Sequence, residues 1–389
     1  MAEAYVRRFA DEALPGMMGA FPALLLVGPR ATGKTTTARR YASGVARLDR
    51  PAERAAFEAD PDAALRAMPE PVLLDEWQTV PDVLGAVKRA VDDDPRPGRF
   101  LLTGSVRAEL DTPTWPGTGR VIRVPMFGLT HRELVGRTAG PGFIDRLATA
   151  DLDALGAPSS LPDLPGYLDM ALNSGFPDAV VRLTGPDRAA WLDSYVEQLL
   201  TRDAAELADR DPARLRRYFE AVALNSAGVT EHKTLYDAAA IDRKTADAYE
   251  RLLVNLLVLE LLPAWLTNRL SRLVKAPKRY LVDPGLLGAA LTLDVSAAMR
   301  DGDLLGRLLD TFVAAQLRPE LALGTPRGRL YHLREKNGRH EVDLIAELAA
   351  HHIVAIEVKA TAAPRPSDAR HLAWLRDQLA DRFIAGAVL

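Results

Sequence analysis

The sequence predicts an α/β protein built in several domains: a parallel-sheet domain first, a helical region behind it, and a small α/β unit at the end. Three observations carry this. Between Ala23 and about Leu134 the apolar runs "ALLLVG", "PVLLDE" and "RFLLTGS" are bounded by turn residues and separated by helix-length segments, the pattern of buried parallel strands with crossover helices. From about Tyr167 to Ala264 the apolar periodicity is helical throughout. From about Leu304 onward, strand-like and helical stretches alternate again. A chain of 389 residues also exceeds what one hydrophobic core ordinarily serves.

Bulk properties narrow the function classes. Apolar residues make up 48% and charged residues 26%, an ordinary globular composition. The net charge of −3 supplies no global basic field, so any nucleic-acid contact must come from a local patch. The chain has no cysteine, which excludes disulfides, thiolate zinc sites and a cysteine nucleophile and accords with a reducing cytosol. The N-terminus lacks a signal-peptide apolar core, and no run approaches the roughly 20 apolar residues of a membrane span. A cytoplasmic protein is expected.

The first strand runs into "GPRATGKT", Gly28 to Thr35, which matches the phosphate-binding loop G-x-x-x-x-G-K-[ST] between a strand and a helix. Gly28 and Gly33 allow the backbone to curl so that successive N–H groups face a phosphate. Lys34 brings a point charge to the β- and γ-phosphates, and the Thr35 hydroxyl suits Mg²⁺. Around them Pro29, Arg30, Ala31, Thr32 and Thr36 complete the nucleotide cradle at the positive end of the new helix. The expected fold of residues 1–136 is therefore a P-loop NTPase, and the expected ligands are ATP and Mg²⁺.

The second strand, "VLLDE", ends in Asp75 and Glu76. Asp75 fits the Mg²⁺ shell, and Glu76 fits the base that orients an attacking water, with a plain surface carboxylate as its alternative. The third strand, "RFLLTGS", places Thr103 and Ser105 where hydroxyls would feel the γ-phosphate or would merely cap the next helix. Arg120, after a Pro/Gly-rich loop, stands as a finger completing a site in cis or in trans, or as half of a surface ion pair.

Gly/Pro/Ser-rich stretches between Gly136 and Gly166 mark a linker or an insertion, and 137–210 reads as linker and helical region. Residues 211–290 hold three amphipathic helices and a hairpin, the layout of a winged helix. Its recognition helix would begin at Asp242, with Arg243, Lys244 and Thr245 exposed to DNA. The hairpin from Ala264 to Leu281 carries Arg269, Arg272, Lys275, Lys278 and Arg279 and no acid, a phosphate-contacting wing or a set of solvated or paired cations. The last unit, 300–389, contains "EVDLIAE" and "IVAIEVKA". Its spacing, Asp343, thirteen residues, Glu357, one residue, Lys359, resembles the PD-(D/E)xK nuclease pattern. There two carboxylates hold Mg²⁺ and a lysine steadies the transition state. An internal ion pair of Lys359 with Asp343 or Glu357 is the competing reading.

Taken in chain order, "LLLVGPRATGKTTTAR", "VLLDEWQTVPDVL", "FLLTGS", "GRVIRVPMFGLTHREL", "SGFPDAV", "PKRYLVDPGLL" and "EVDLIAE…IVAIEVKA" resemble a family of bacterial and archaeal AAA-type ATPases. Its members carry a winged helix and a restriction-nuclease-like C-terminal domain. The resemblance covers nearly the whole chain. It implies an AAA-type parallel-sheet core, ATP and Mg²⁺ binding, and a small PD-(D/E)xK-like domain whose acid from the preceding helix would be Asp310, where relatives tend to have Glu. Relatives usually continue beyond "FIAGAVL", so a naturally short or truncated last domain is expected. The function expected is a nucleotide-driven switch acting on nucleic acid or a protein partner, and the partners expected besides ATP are DNA through the winged helix and a protein partner or further copies of the chain. An ATP-gated DNA nuclease and an ATP-sensing DNA-binding regulator with little turnover stand as alternatives.

Overall fold

Five short, mostly apolar segments form one parallel sheet at the N-terminal end of the chain: β1 Ala23–Val27, β2 Gly44–Arg47, β3 Val72–Asp75, β4 Phe100–Gly104 and β5 Val121–Pro125. The order across the sheet is β2-β3-β4-β1-β5. The computed structural model describes residues 5–104, 117–149, 161–203, 211–267, 275–324, 328–335, 339–361 and 363–389. β1, β3 and β4 are buried almost end to end, which is why they read as unbroken apolar runs. The core joins Leu25, Leu74, Phe100 and Leu102 from the sheet to Val83, Val87 and Val91 of helix Val83–Asp93. Because the strands are parallel, the loops after β1, β3 and β4 emerge at one end of the sheet. This end carries the nucleotide motifs, as expected for crevices outside the carboxyl ends of strands.

Residues 1–139 with 255–257 form one compact unit, and 140–254 with 258–389 form another. In the second, helices Pro212–Leu224, His232–Ala238 and Arg243–Asn255 precede an antiparallel pair, β6 Leu259–Leu262 and β7 Lys278–Leu281. Asp211 caps the first of them by accepting from the amides of Ala213 and Arg214, satisfying N–H groups that a helix start leaves open.

The C-terminal sheet contains β8 Arg329–Arg334, β9 Glu341–Glu347, β10 Ile353–Glu357 and β11 Phe383–Val388, in the order β11-β10-β9-β8. β8, β9 and β10 are antiparallel neighbours, whereas β11 runs parallel to β10. Helix Gly302–Leu323 packs Ala314, Leu317 and Leu321 against Leu344, Ala346, Val354 and Ile356 on one face. Helix Arg370–Leu379 packs Leu372 and Leu375 against Ile345, Ile353 and Ala355 on the other. Period-2 alternation on β10 divides its side chains between the two cores.

One expectation fails here. β7 is buried at all four positions, so Lys278 and Arg279 do not project from a wing toward DNA. Tyr280, two residues from Lys278, lies in the core shared by the long helix and the C-terminal sheet. A strand enclosed on both faces must pair its cations internally.

Candidate functional site

The phosphate loop is shaped by close backbone approach. A Cβ at Gly28 would lie 2.1 Å from the carbonyl oxygen of Met126, so no larger residue fits. Gly33 has φ of +85° at the N-cap of helix Lys34–Arg39, a left-handed conformation that glycine adopts without strain. Lys34 is buried, and its ammonium donates to the carbonyls of Gly28 at 3.0 Å and Pro29 at 2.7 Å. Burial pushes its pKa down to about 8, helped by Arg30 and opposed by Glu76 and Asp75. A cation that has lost hydration inside a loop of N–H groups favours an arriving polyanion.

Two hydroxyls converge on one carboxylate oxygen. Thr35 Oγ1 and Thr103 Oγ1 each donate to Asp75 Oδ1 at 2.6 Å. Parallel registry places Thr103 beside Asp75, so the sequence spacing of three strands becomes one polar cluster. Thr103 thus orients Asp75, and Ser105 lies outside the described residues. Glu76 follows with φ of +54°, turning the chain off the strand, and its carboxylate accepts from the Gln78 side-chain amide. Thr32 is buried with its hydroxyl on the Pro29 carbonyl, while Ala31 and Thr36 are exposed.

Arg120 is displaced from this site. β5 begins with Val121 opposite Ala23, the first residue of β1, so Arg120 sits at the end of the sheet opposite the phosphate loop. It forms a 2.8 Å ion pair with Asp92, the surface-pair alternative, and cannot serve its own chain's loop as a finger.

A buried arginine that no motif marks supports the loop instead. Arg8 binds the Thr32 carbonyl through Nη1 at 2.9 Å, the Phe127 carbonyl through Nη2 at 2.6 Å and Glu133 through Nε at 3.2 Å. Glu133 also accepts from the amides of Phe9 and Thr130. Nearby, the Tyr5 hydroxyl donates to Asp11 at 2.8 Å and lies 2.9 Å from the Thr37 hydroxyl. The capping signature Thr130-x-x-Glu133 is legible in "THRE", but its use by Arg8 is not.

The C-terminal carboxylates also meet. Asp310, Asp343 and Glu357 are buried or nearly so, and Lys359 donates to Glu357 at 2.9 Å, the ion pair weighed above. Lys278 enters from β7, lying 3.3 Å from Asp310 and 3.2 Å from Asp343. Burial drives the Asp310 pKa up to about 6 against the pull of Lys278. Burial and the Asp343 charge drive Glu357 up to about 8 against Lys359. Asp343 would also be raised by burial, yet Lys278, the Val358 amide and Lys359 hold it below the ordinary range. Among the described residues, no group of three or more His, Cys, Asp or Glu side chains is arranged to hold a metal ion.

Of the cations expected on DNA, Arg243 and Lys244 are exposed at the start of their helix, and Arg243 lies 3.8 Å from Asp247. Lys275 is half-buried. Lys278 and Arg279 are turned inward, Arg279 onto Glu250. Arg269 and Arg272 lie outside the described residues. No described helix is long and apolar enough to cross a membrane.

A parallel sheet in the order β2-β3-β4-β1-β5, with the loop, Thr35 and Asp75 at one end, defines a nucleotide-binding P-loop protein. Residues 20–135 match the AAA domain, which places the chain among AAA-type P-loop ATPases. Residues 165–297 and 305–389 match two domains of unknown function, DUF8612 and DUF4143. Over 379 residues the chain is 31% identical to Uncharacterized protein Rv2008c of Mycobacterium tuberculosis, covering 96% of this chain and 78% of the relative. Uncharacterized protein Mb2031c of Mycobacterium bovis matches to the same extent. The chain belongs to the family of these mycobacterial proteins. The Walker-type ATPase PABY2304 of Pyrococcus abyssi is a similar solved structure, with a TM-score of 0.46, 15% identity and coverage of 75% of this chain and 99% of that one.

Proposed function

We propose that the chain binds MgATP at Gly28–Thr36 and hydrolyses it, using the nucleotide state as a switch. The convergence of Thr35 and Thr103 on Asp75, each at 2.6 Å, carries this reading. The donor set fits a divalent cation: a loop hydroxyl and a strand-end carboxylate, the hard oxygens Mg²⁺ prefers. Bound there, Mg²⁺ would neutralise charge on the phosphates. Lys34 would hold the β- and γ-phosphates, and Arg8 would keep the Thr32 carbonyl in place behind the loop. Glu76 would accept a proton from water once Gln78 released it. Replacing Glu76 by Gln should leave ATP affinity near wild type and lower turnover about 10²–10⁴-fold, the usual contribution of a general base. Wild-type turnover by that variant would remove Glu76 from the mechanism and favour a sensor that hardly hydrolyses.

A second reading concerns the C-terminal unit. One helix, three antiparallel strands, a second helix and a parallel strand, with Asp343 on β9, Glu357 at the end of β10 and Lys359 two residues beyond it, support a PD-(D/E)xK-like reading, and three helices with an antiparallel strand pair support a winged-helix one. DNA contact would then fall to Arg243, Lys244 and Lys275. Charge reversal of Arg243 and Lys244 should weaken DNA binding and flatten its salt dependence. DNA affinity indifferent to both would exclude that helix.

A further inference from the structure

The C-terminal carboxylates already have a cation. Lys278 has three N–H donors and three acceptors within reach: Asp310 Oδ2 at 3.3 Å, Asp343 Oδ1 at 3.2 Å and the Asp343 carbonyl at 3.4 Å. The remaining oxygens are mostly taken as well. Tyr280 donates to Asp310 Oδ1 at 2.9 Å, the Val358 amide donates to Asp343 Oδ2 at 3.0 Å, and Lys359 donates to Glu357 Oε2 at 2.9 Å. Glu357 Oε1 is buried without a hydrogen-bond partner among the described residues. A divalent ion would need several of these oxygens at about 2.0–2.6 Å, and five of the six carboxylate oxygens are engaged by two ammonium groups, a phenol and an amide.

Charge leads to the same place. Two ammonium groups, Lys278 and Lys359, already stand against the three carboxylates, which leaves little net charge to draw in a dication. Lys278 comes from β7, not from the sheet that supplies Asp343 and Glu357, so its bonds also tie the hairpin to β9 and the long helix. The chain after β6 strengthens this tie: the Trp265 amide donates to the His332 carbonyl at 2.6 Å, and the His332 amide to Pro263 at 3.1 Å.

We propose that Lys278 is the resident cation of the C-terminal carboxylate cluster, taking the place a divalent metal would need between Asp310 and Asp343, so that the cluster admits metal only when Lys278 is withdrawn. This goes beyond the nucleotide reading and stands independently of it. A nuclease-like site closed in this way is an internal joint for as long as Lys278 stays between Asp310 and Asp343.

The test uses the full chain without nucleotide and Mn²⁺ as probe, free ion being followed by electron paramagnetic resonance. Wild type should bind no Mn²⁺ that Asp343→Asn removes. Lys278→Gln, which keeps N–H donors and drops the charge, should gain one Mn²⁺ per chain at least tenfold more tightly than wild type binds it there. Adding Asp343→Asn to that variant should abolish the gain. A folded Lys278→Gln protein that gains no Mn²⁺ overturns the proposal, as does wild-type binding that Asp343→Asn removes. Should Lys278→Gln fail to fold by circular dichroism, the wild-type and Asp343→Asn pair still decides, since binding lost in Asp343→Asn refutes the lock and unchanged titrations support it.

Discussion

Replacing Arg8 by Met tests whether the phosphate loop is held from behind by a buried ion pair. Methionine keeps most of the aliphatic volume and removes the guanidinium, so three interactions vanish: those to Glu133, the Thr32 carbonyl and the Phe127 carbonyl. Glu133 stays buried at 2% exposure with the amides of Phe9 and Thr130 and the Thr130 hydroxyl still donating to it. Removing one partner of a buried pair costs about 3–5 kcal/mol, and those remaining donors place this case near 3 kcal/mol. For a domain of this size that corresponds to a melting point lower by roughly 10 °C. Urea unfolding supplies the free energy, and nucleotide titration reports the loop, whose affinity should fall because the Thr32 carbonyl loses its anchor. Combining Arg8→Met with Glu133→Gln should recover part of the loss, with a coupling above about 1 kcal/mol. Unfolding within about 0.5 kcal/mol of wild type, with unchanged nucleotide affinity, would refute the reasoning.

Other expectations follow from the same geometry. Lys34 has a folded pKa of about 8, which phosphate would raise, so ATP binding should take up a proton above about pH 8 and weaken as pH rises further; calorimetry in buffers of different ionisation enthalpy measures the uptake, and none would contradict the burial of that ammonium. Thr103→Val removes a charge-assisted bond to Asp75 and should cost about 1.5–3 kcal/mol of stability and raise the Mg²⁺ concentration needed for turnover; an unchanged Mg²⁺ dependence would deny Thr103 its role in orienting Asp75. For Glu357 the folded pKa, about 8, lies above the unfolded one, so its contribution is full below about pH 4.5 and is lost as pH rises through 8. Glu357→Gln should therefore gain stability relative to wild type as pH climbs through that window, by up to a few kcal/mol, and a difference independent of pH in denaturant unfolding would show that the carboxyl does not titrate there.

The nucleotide site was legible because its chemistry is local. Gly28 to Thr35 are contiguous, and Asp75 ends an apolar run that burial on both faces makes unmistakable. β2 left little trace, since "GVAR" alternates buried and half-buried positions at a sheet edge. Arg8 and Glu133 are 125 positions apart, and no period or spacing connects them. In "KRYL" the cations suggested a phosphate-contacting wing or paired groups, and the strand's burial decides for pairing. The alternation that puts Lys278 and Tyr280 on one face was present in the sequence, but their shared partner, Asp310, belongs to a distant helix. For Arg120 the sequence left a finger and a surface ion pair open, and the pair with Asp92 is the one found, because strand direction, which decides the end of the sheet a residue occupies, is set by pairing with β1.

Phosphate release from MgATP by wild type and by Lys34→Ala tests the central claim most directly. Wild type should show measurable Mg²⁺-dependent turnover, and the variant, its fold verified by circular dichroism, should lose both nucleotide binding and turnover. Undiminished hydrolysis by Lys34→Ala would contradict the claim.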